Sequence, residues 1–121
     1  MTMREAIYAG SMQDGVMLVT VSEGGSTRLL DESGGLAIVD RNGEGIVGND
    51  SVGARELAHL ILRDATGNEA LAQSATWSFT HQFLVPIAPK TAWLITSDQI
   101  DLWLQVWRLV TNPTRMLRDS A

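Results

Sequence analysis

Apolar and polar positions along this chain change their period near residue 50. Before that point, short β-prone runs alternate with turn formers: Ala6 to Ala9, Val16 to Ser22, Arg28 to Leu30, Leu36 to Asp40 and Gly45 to Val47. Gly24-Gly25 and Asn42-Gly43 are turn dipeptides, and Asn-Gly between apolar runs is a hairpin signal. Ten of the eleven glycines fall at or before Gly53, which concentrates backbone bends in this half. The pattern predicts an antiparallel meander.

From Ser51 onward the repeat is helical. Ala54, Leu57, Ala58, Ile61 and Ala65 share one face of a first helix over 52–65, which Ser51 can cap and Gly67 can end. Thr66-Gly67-Asn68-Glu69 reads as a capping box for a second helix over 69–85, in which Leu71, Ala75, Phe79 and Phe83 recur every four residues until Pro86. Thr91 to Thr96 reads as a short strand. Thr96-Ser97-Asp98-Gln99 is a further capping box and opens a third helix over 97–111, closed by Asn112-Pro113. The expected fold is α+β: a sheet of three to five antiparallel strands packed against three helices, in one domain spanning 1–121 with a frayed tail at 112–121. Val19 and Val21 should face the helices, with Leu57, Ile61, Phe79, Phe83, Trp93 and Trp103 in the core.

The third helix is more apolar than one core contact requires. Ile100, Trp103, Leu104, Trp107 and Val110 form one stripe, and Leu102, Val106 and Leu109 form a second. Only Asp101, Gln105 and Arg108 are left as a polar strip. One stripe should bury in the monomer, through Ile100, Trp103 and Trp107, leaving Leu102, Val106 and Leu109 for a partner or for burial beneath the other helices. Trp77 falls away from the second helix's apolar face and is an additional candidate for partner contact.

Charge adds an asymmetry. The net charge is −5, and residues 1–50 carry all of it: Glu5, Asp14, Glu23, Asp31, Glu32, Asp40, Glu44 and Asp50 against Arg4, Arg28 and Arg41. An acidic surface repels phosphate, which disfavours direct nucleic-acid binding, and it steers basic partners. Asp31, Glu32, Asp40, Glu44 and Asp50 are therefore candidate partner-binding residues alongside Trp77, Leu102, Val106 and Leu109. Solubility is the plainer reading of the same charge. With no cysteine, disulfides and thiolate chemistry are excluded. No leader or membrane span is indicated, so the expected location is cytoplasmic.

The chemical motifs are incomplete, and neither cofactor nor metal is expected. Gly43-Glu-Gly45-Ile-Val-Gly48 matches a dinucleotide fingerprint, but Asp64, at the ribose-binding distance, falls late in a helix rather than at a strand end. Asp40, Asn42 and Glu44 imitate half a calcium loop, with Ser51 where the bidentate glutamate belongs. Glu56 and His59 form one E-x-x-H pair where a carboxylate-bridged di-iron site needs two. An enzyme would have to use His59 with Glu56 or Asp64; His81 has no acid beside it in sequence.

The order Tyr8-x-Gly10, Val19 and Val21, Gly48, Gly53, Leu57-Ala58, Ile61-Leu62, Asp64, Ala72, Phe79, Trp93-Leu94, Ile100 and Trp103-Leu104 resembles a family of small proteins of unknown function found in phages, plasmids and bacteria. The likeness covers nearly the whole chain and concerns fold positions rather than catalytic ones. Small acidic cysteine-free proteins of mobile elements also resemble, by type, inhibitors of host defence such as anti-CRISPR proteins. That likeness implies a non-catalytic module that sterically occludes a basic host protein or nuclease complex. The alternative is a homodimer built on the spare face of the third helix, with structural or regulatory duties.

Overall fold

A computed structural model describes residues 5–13, 16–30, 47–88 and 91–111. Strands β1 (Ile7–Gln13), β2 (Val16–Glu23) and β3 (Ser26–Leu29) come first, then helices α1 (Val52–Thr66) and α2 (Glu69–Phe79), strand β4 (Trp93–Thr96) and helix α3 (Ser97–Thr111). The sheet is antiparallel in the order β3-β2-β1-β4, so the expected α+β architecture holds. The expected strands at Leu36 to Asp40 and Gly45 to Val47, and the Asn42-Gly43 turn, lie outside the described residues, apart from Val47, which is buried in a bend.

Strand β1 runs four residues beyond the expected end at Ala9. Gly10 and Ser11 are poor strand formers, but β2 and β4 pair with this stretch, and pairing overrides propensity. At Gly24 and Gly25 both φ angles are positive (60° and 85°), as a two-residue hairpin with the right twist requires.

Alternation sorts the sheet into two faces. Tyr8, Met17, Val19, Val21, Trp93 and Ile95 are buried beneath the helices. The opposite face presents Ile7, Leu18, Leu29 and Leu94, interspersed with Ala9, Thr20 and Ser22, without a charged side chain among the described residues.

Helix α1 covers the inner face with Ala54, Leu57, Ala58, Ile61, Leu62 and Ala65; Ser51 caps it through Oγ to the Ala54 N–H (3.1 Å), and Gly67 at φ 67° terminates it. The expected capping box at Thr66–Glu69 is not what forms. Asn68 takes the cap position, its Oδ1 accepting from the Leu71 N–H at 3.0 Å. Thr66 is the last residue of α1, where its hydroxyl donates to the Leu62 carbonyl at 2.7 Å, so the residue just before Glu69 supplies the cap. Glu69 turns instead to His59 and Gln73.

The second helix also does not run uniformly to residue 85. Residues Thr80–Leu84 form a single π-helical turn, closed by the Val85 N–H to the Thr80 carbonyl at 2.9 Å. Pro86, lacking an N–H, then ends the helical path. Phe79 is fully buried, whereas Phe83 and Trp103 are partly buried at the core's margin. Phe79 and Phe83 stack at 4.6 Å, and Trp103 meets both edge-on.

At the other end, β4 passes into α3 without a loop. The capping box expected at Thr96–Gln99 is present: Gln99 Oε1 accepts from the Thr96 N–H at 2.8 Å, and Thr96 Oγ1 accepts from the Gln99 N–H at 3.2 Å. Ser97 is buried and ties the junction to the start of β1. Its N–H donates to the Ala6 carbonyl and its Oγ accepts from the Ala6 N–H, both at 2.9 Å.

Candidate functional site

The expected contact residues separate into two surfaces. The first is the outer side of α3. Ile100 and Leu104 are buried, and Trp103 and Trp107 are partly buried against the core, stacked on each other at 6.1 Å. The second stripe is exposed: Leu102 by 65%, Val106 by 58% and Leu109 by 45%, with Val110 at 73% beside them. Of the two fates open to this stripe, the structure shows solvent exposure.

The second surface surrounds Trp77, which is 61% exposed. Its ring lies against the His81 imidazole at 4.1 Å between centroids, and Asp50 Oδ2 sits 3.3 Å from His81 Nε2. His81 Nδ1 is 2.9 Å from the Trp77 carbonyl, which can only accept, so Nδ1 carries a proton. Trp77 and His81 meet as an i, i+4 pair on the helix, whereas the contact of His81 with Asp50 is one that sequence spacing did not reveal. Trp77 and Phe79 lie about 200° apart on the helix at 3.6 residues per turn. The Trp77 surface therefore lies on the far side of α2 from Trp103, and the two surfaces are not one patch.

Asp50 is not a bare acid ready to steer a partner. Arg55 donates to it twice, from Nε to Oδ1 at 2.7 Å and from Nη2 to Oδ2 at 3.0 Å. The Arg55 hydrogen bonds hold the Asp50 carboxyl below its ordinary 3.8, with the charges of Arg55 and His81 acting in the same direction against desolvation. A carboxyl whose folded value is depressed contributes stability above its unfolded value and loses it as pH falls through the folded one. Asp50→Asn is therefore expected to flatten the fall of the melting temperature below about pH 4. Unchanged acid sensitivity in a melting series from pH 6 to pH 3 would contradict it. Asp31, Glu32, Asp40 and Glu44 lie outside the described residues.

The enzymatic alternative loses one of its pairs. Asp64 accepts from the Tyr8 hydroxyl at 2.7 Å and from Arg28 Nη2 at 2.8 Å, so it joins sheet and helix instead of serving His59. Arg28 also reaches Glu23 at 3.2 Å, and the bond to Asp64 is the largest influence raising the Arg28 guanidinium further above its ordinary value. His59 Nε2 lies 2.8 Å from Glu69 Oε1, a partner that the sequence reading did not assign to it. An open cleft of about 410 Å³ lies between the β2–β3 turn and the start of α3, lined by Glu5, Glu23 and Asp98 among others. Among the described residues no three metal-ligating side chains cluster, and no helix is long and apolar enough to cross a membrane.

Fold and surface together define a small α+β domain that displays apolar side chains along the outer side of α3. Residues 8–106 match a family of unknown function (DUF6166), and the chain belongs to that family. No curated protein and no solved structure matches the chain. The matched span runs from Tyr8 to Val106, so it includes the Tyr8–Asp64 contact and most of α3.

Proposed function

We propose that the protein is a non-catalytic protein-binding module that docks through the outer stripe of α3. The observation that carries this reading is the exposure of Leu102, Val106 and Leu109 on a helix whose opposite side already fills the core. Burying such side chains stabilises by roughly 1.5–3 kcal/mol each, and a helix that only had to cover the sheet would be polar at these positions.

A narrower form of the proposal names the partner as a basic protein, such as a nuclease complex of host defence in the cytoplasm, inhibited by steric occlusion. Its support is the net charge of −5, carried wholly by the first fifty residues, together with the likeness in type to such inhibitors. Asp50 adds little to that field because Arg55 neutralises it.

Val106→Glu tests the docking surface. The exposed site leaves the fold intact, so circular dichroism should be unchanged, while partners retained by the wild-type protein from host lysate should bind about 100-fold more weakly to the variant. Retention of every partner by a folded Val106→Glu variant would remove α3 as the docking surface. For the basic partner, Asp40→Lys with Glu44→Lys should slow association and reduce its salt sensitivity. Unaltered kinetics would leave the charge as a solubility feature.

A further inference from the structure

Both nitrogens of the His81 ring face oxygen acceptors. Nδ1 lies 2.9 Å from the Trp77 carbonyl, one turn earlier on the same helix. Nε2 lies 3.3 Å from Asp50 Oδ2, on the chain just ahead of α1. A backbone carbonyl can only accept, and Asp50 can only accept while it is ionised. Arg55 keeps it so, because its two hydrogen bonds favour the carboxylate and pin both oxygens whether or not His81 is charged. A neutral imidazole has one N–H and one lone pair, so either tautomer turns a lone pair toward one of these acceptors. Only the imidazolium satisfies both contacts.

We propose that His81 is a proton-operated latch, which closes the entry of α1 onto the end of α2 when Nε2 takes a proton from solvent and opens when that proton is given back. This latch owes nothing to the α3 surface. In the closed form Nε2–H donates to Asp50, and the ring gains one positive charge against the face of Trp77, 4.1 Å away between centroids. In the open form the Nε2 lone pair confronts a carboxylate that Arg55 holds in place, so the ring is the part that yields. The indole beside it is largely exposed. Trp77 therefore presents a cation-backed surface in mild acid and a neutral one above it.

The charged groups at the ring set the sign. Among the described residues they are Asp50, ahead of α1, and Arg55, on α1. Arg55 shares the carboxylate and its charge works against the added proton, whereas Asp50 touches the ring directly and favours it. Water reaches the pair, with 36% of the His81 side chain and 33% of the Asp50 side chain exposed, which limits the latch to the strength of a surface ion pair. A reporter lies close by. The Gly48 N–H donates to the Leu84 carbonyl at 2.8 Å and so joins the same two segments with no titrating group of its own.

Amide hydrogen exchange of the full chain at about pH 5.5 and about pH 7.5 brackets the titration of an ordinary imidazole, and the Gly48 amide reads the latch. After correction for the intrinsic exchange rate, its protection factor should be roughly two- to five-fold larger at the lower pH, the range an exposed ion pair provides. His81→Gln, which cannot take a charge, should remove that ratio. Asp50→Asn should remove it as well, because no fixed negative charge then stands opposite Nε2. Fluorescence supplies a second readout: an imidazolium quenches a neighbouring indole, so emission should fall on acidification in the wild type and hold steady in Trp77→Phe. Equal Gly48 protection at the two pH values overturns the latch, as does a ratio that survives His81→Gln. Identical emission profiles for the wild type and Trp77→Phe overturn it too. Should a substitution perturb the helix, the wild-type ratio still decides.

Discussion

Alanine at position 10 is expected to lower stability by about 3 kcal/mol, at the upper end of what one added methyl costs a packed core. Gly10 lies on the buried face of β1, directly paired with Trp93 on β4. A Cβ built on Gly10 would stand 2.3 Å from Trp93 Cε2 and Nε1 and 2.7 Å from Cζ2. Those atoms belong to a rigid, buried indole that cannot swing aside like the end of a flexible chain. The indole covers the strand where the glycine leaves room, a cross-strand arrangement in which an aromatic compensates for a missing side chain. Thermal unfolding should show the melting point of Gly10→Ala falling by roughly 10 °C for a domain of this size. Trp93→Leu is destabilising alone, yet combined with Gly10→Ala it should lose less than the sum of the two, because the smaller residue vacates the space the methyl needs. Additive losses, or a Gly10→Ala variant within 0.5 kcal/mol of wild type, would refute the packing account.

Asp64→Ala is expected to cost a comparable amount, about 2–3 kcal/mol, because it removes two hydrogen bonds to a charged acceptor. Tyr8 is fully buried at the centre of the sheet, and Asp64 on α1 receives its hydroxyl proton. Across the inner face the pairing register aligns Ile95, Tyr8, Val21 and Arg28 in one row, so the same carboxylate meets Arg28 at the row's end. The half-exposed Arg28 pair contributes at the low end of its range because water screens it. Asp64→Asn keeps an acceptor for Tyr8 and should lose only about 1 kcal/mol. Urea unfolding separates these expectations, and equal losses for Asn and Ala would show that the ion pair, not the tyrosine bond, anchors α1 to the sheet.

How far the sequence foretold this molecule depends on how local each signal is. The Thr96–Gln99 box, the Gly24-Gly25 turn, the Ser51 cap and the Gly67 terminus each act within about four residues, and each forms as read. Two local readings gave way to nearby competitors. Asn68 displaced Thr66 as cap, and the helix expected to reach residue 85 widens at Thr80, which apolar periodicity does not encode. The Tyr8–Asp64–Arg28 cluster joins residues 56 and 36 positions apart, and only the strand order brings them together. The exposed stripe proposed for docking was half legible. Periodicity marked Leu102, Val106 and Leu109 as a separate stripe, but whether other helices would cover it depended on tertiary placement. Trp77 and its neighbour His81 were marked by their i, i+4 spacing on the helix, while the contact of His81 with Asp50 depended on where the chain before α1 is placed.

The loopless junction at Ser97 sets how α3 presents itself. With a hydrogen bond in each direction between Ser97 and Ala6, and no hinge residue between β4 and the first helical turn, the helix behaves as a cantilever clamped to the sheet. A load applied near Val106 is transmitted into the strands instead of being absorbed by a pivot. A partner docked on α3 as proposed would therefore meet a surface already in its bound orientation, with little ordering entropy left to oppose binding. Even a one-residue insertion at the clamp would rotate the exposed ridge by about 100° about the helix axis and aim it elsewhere while leaving its composition unchanged.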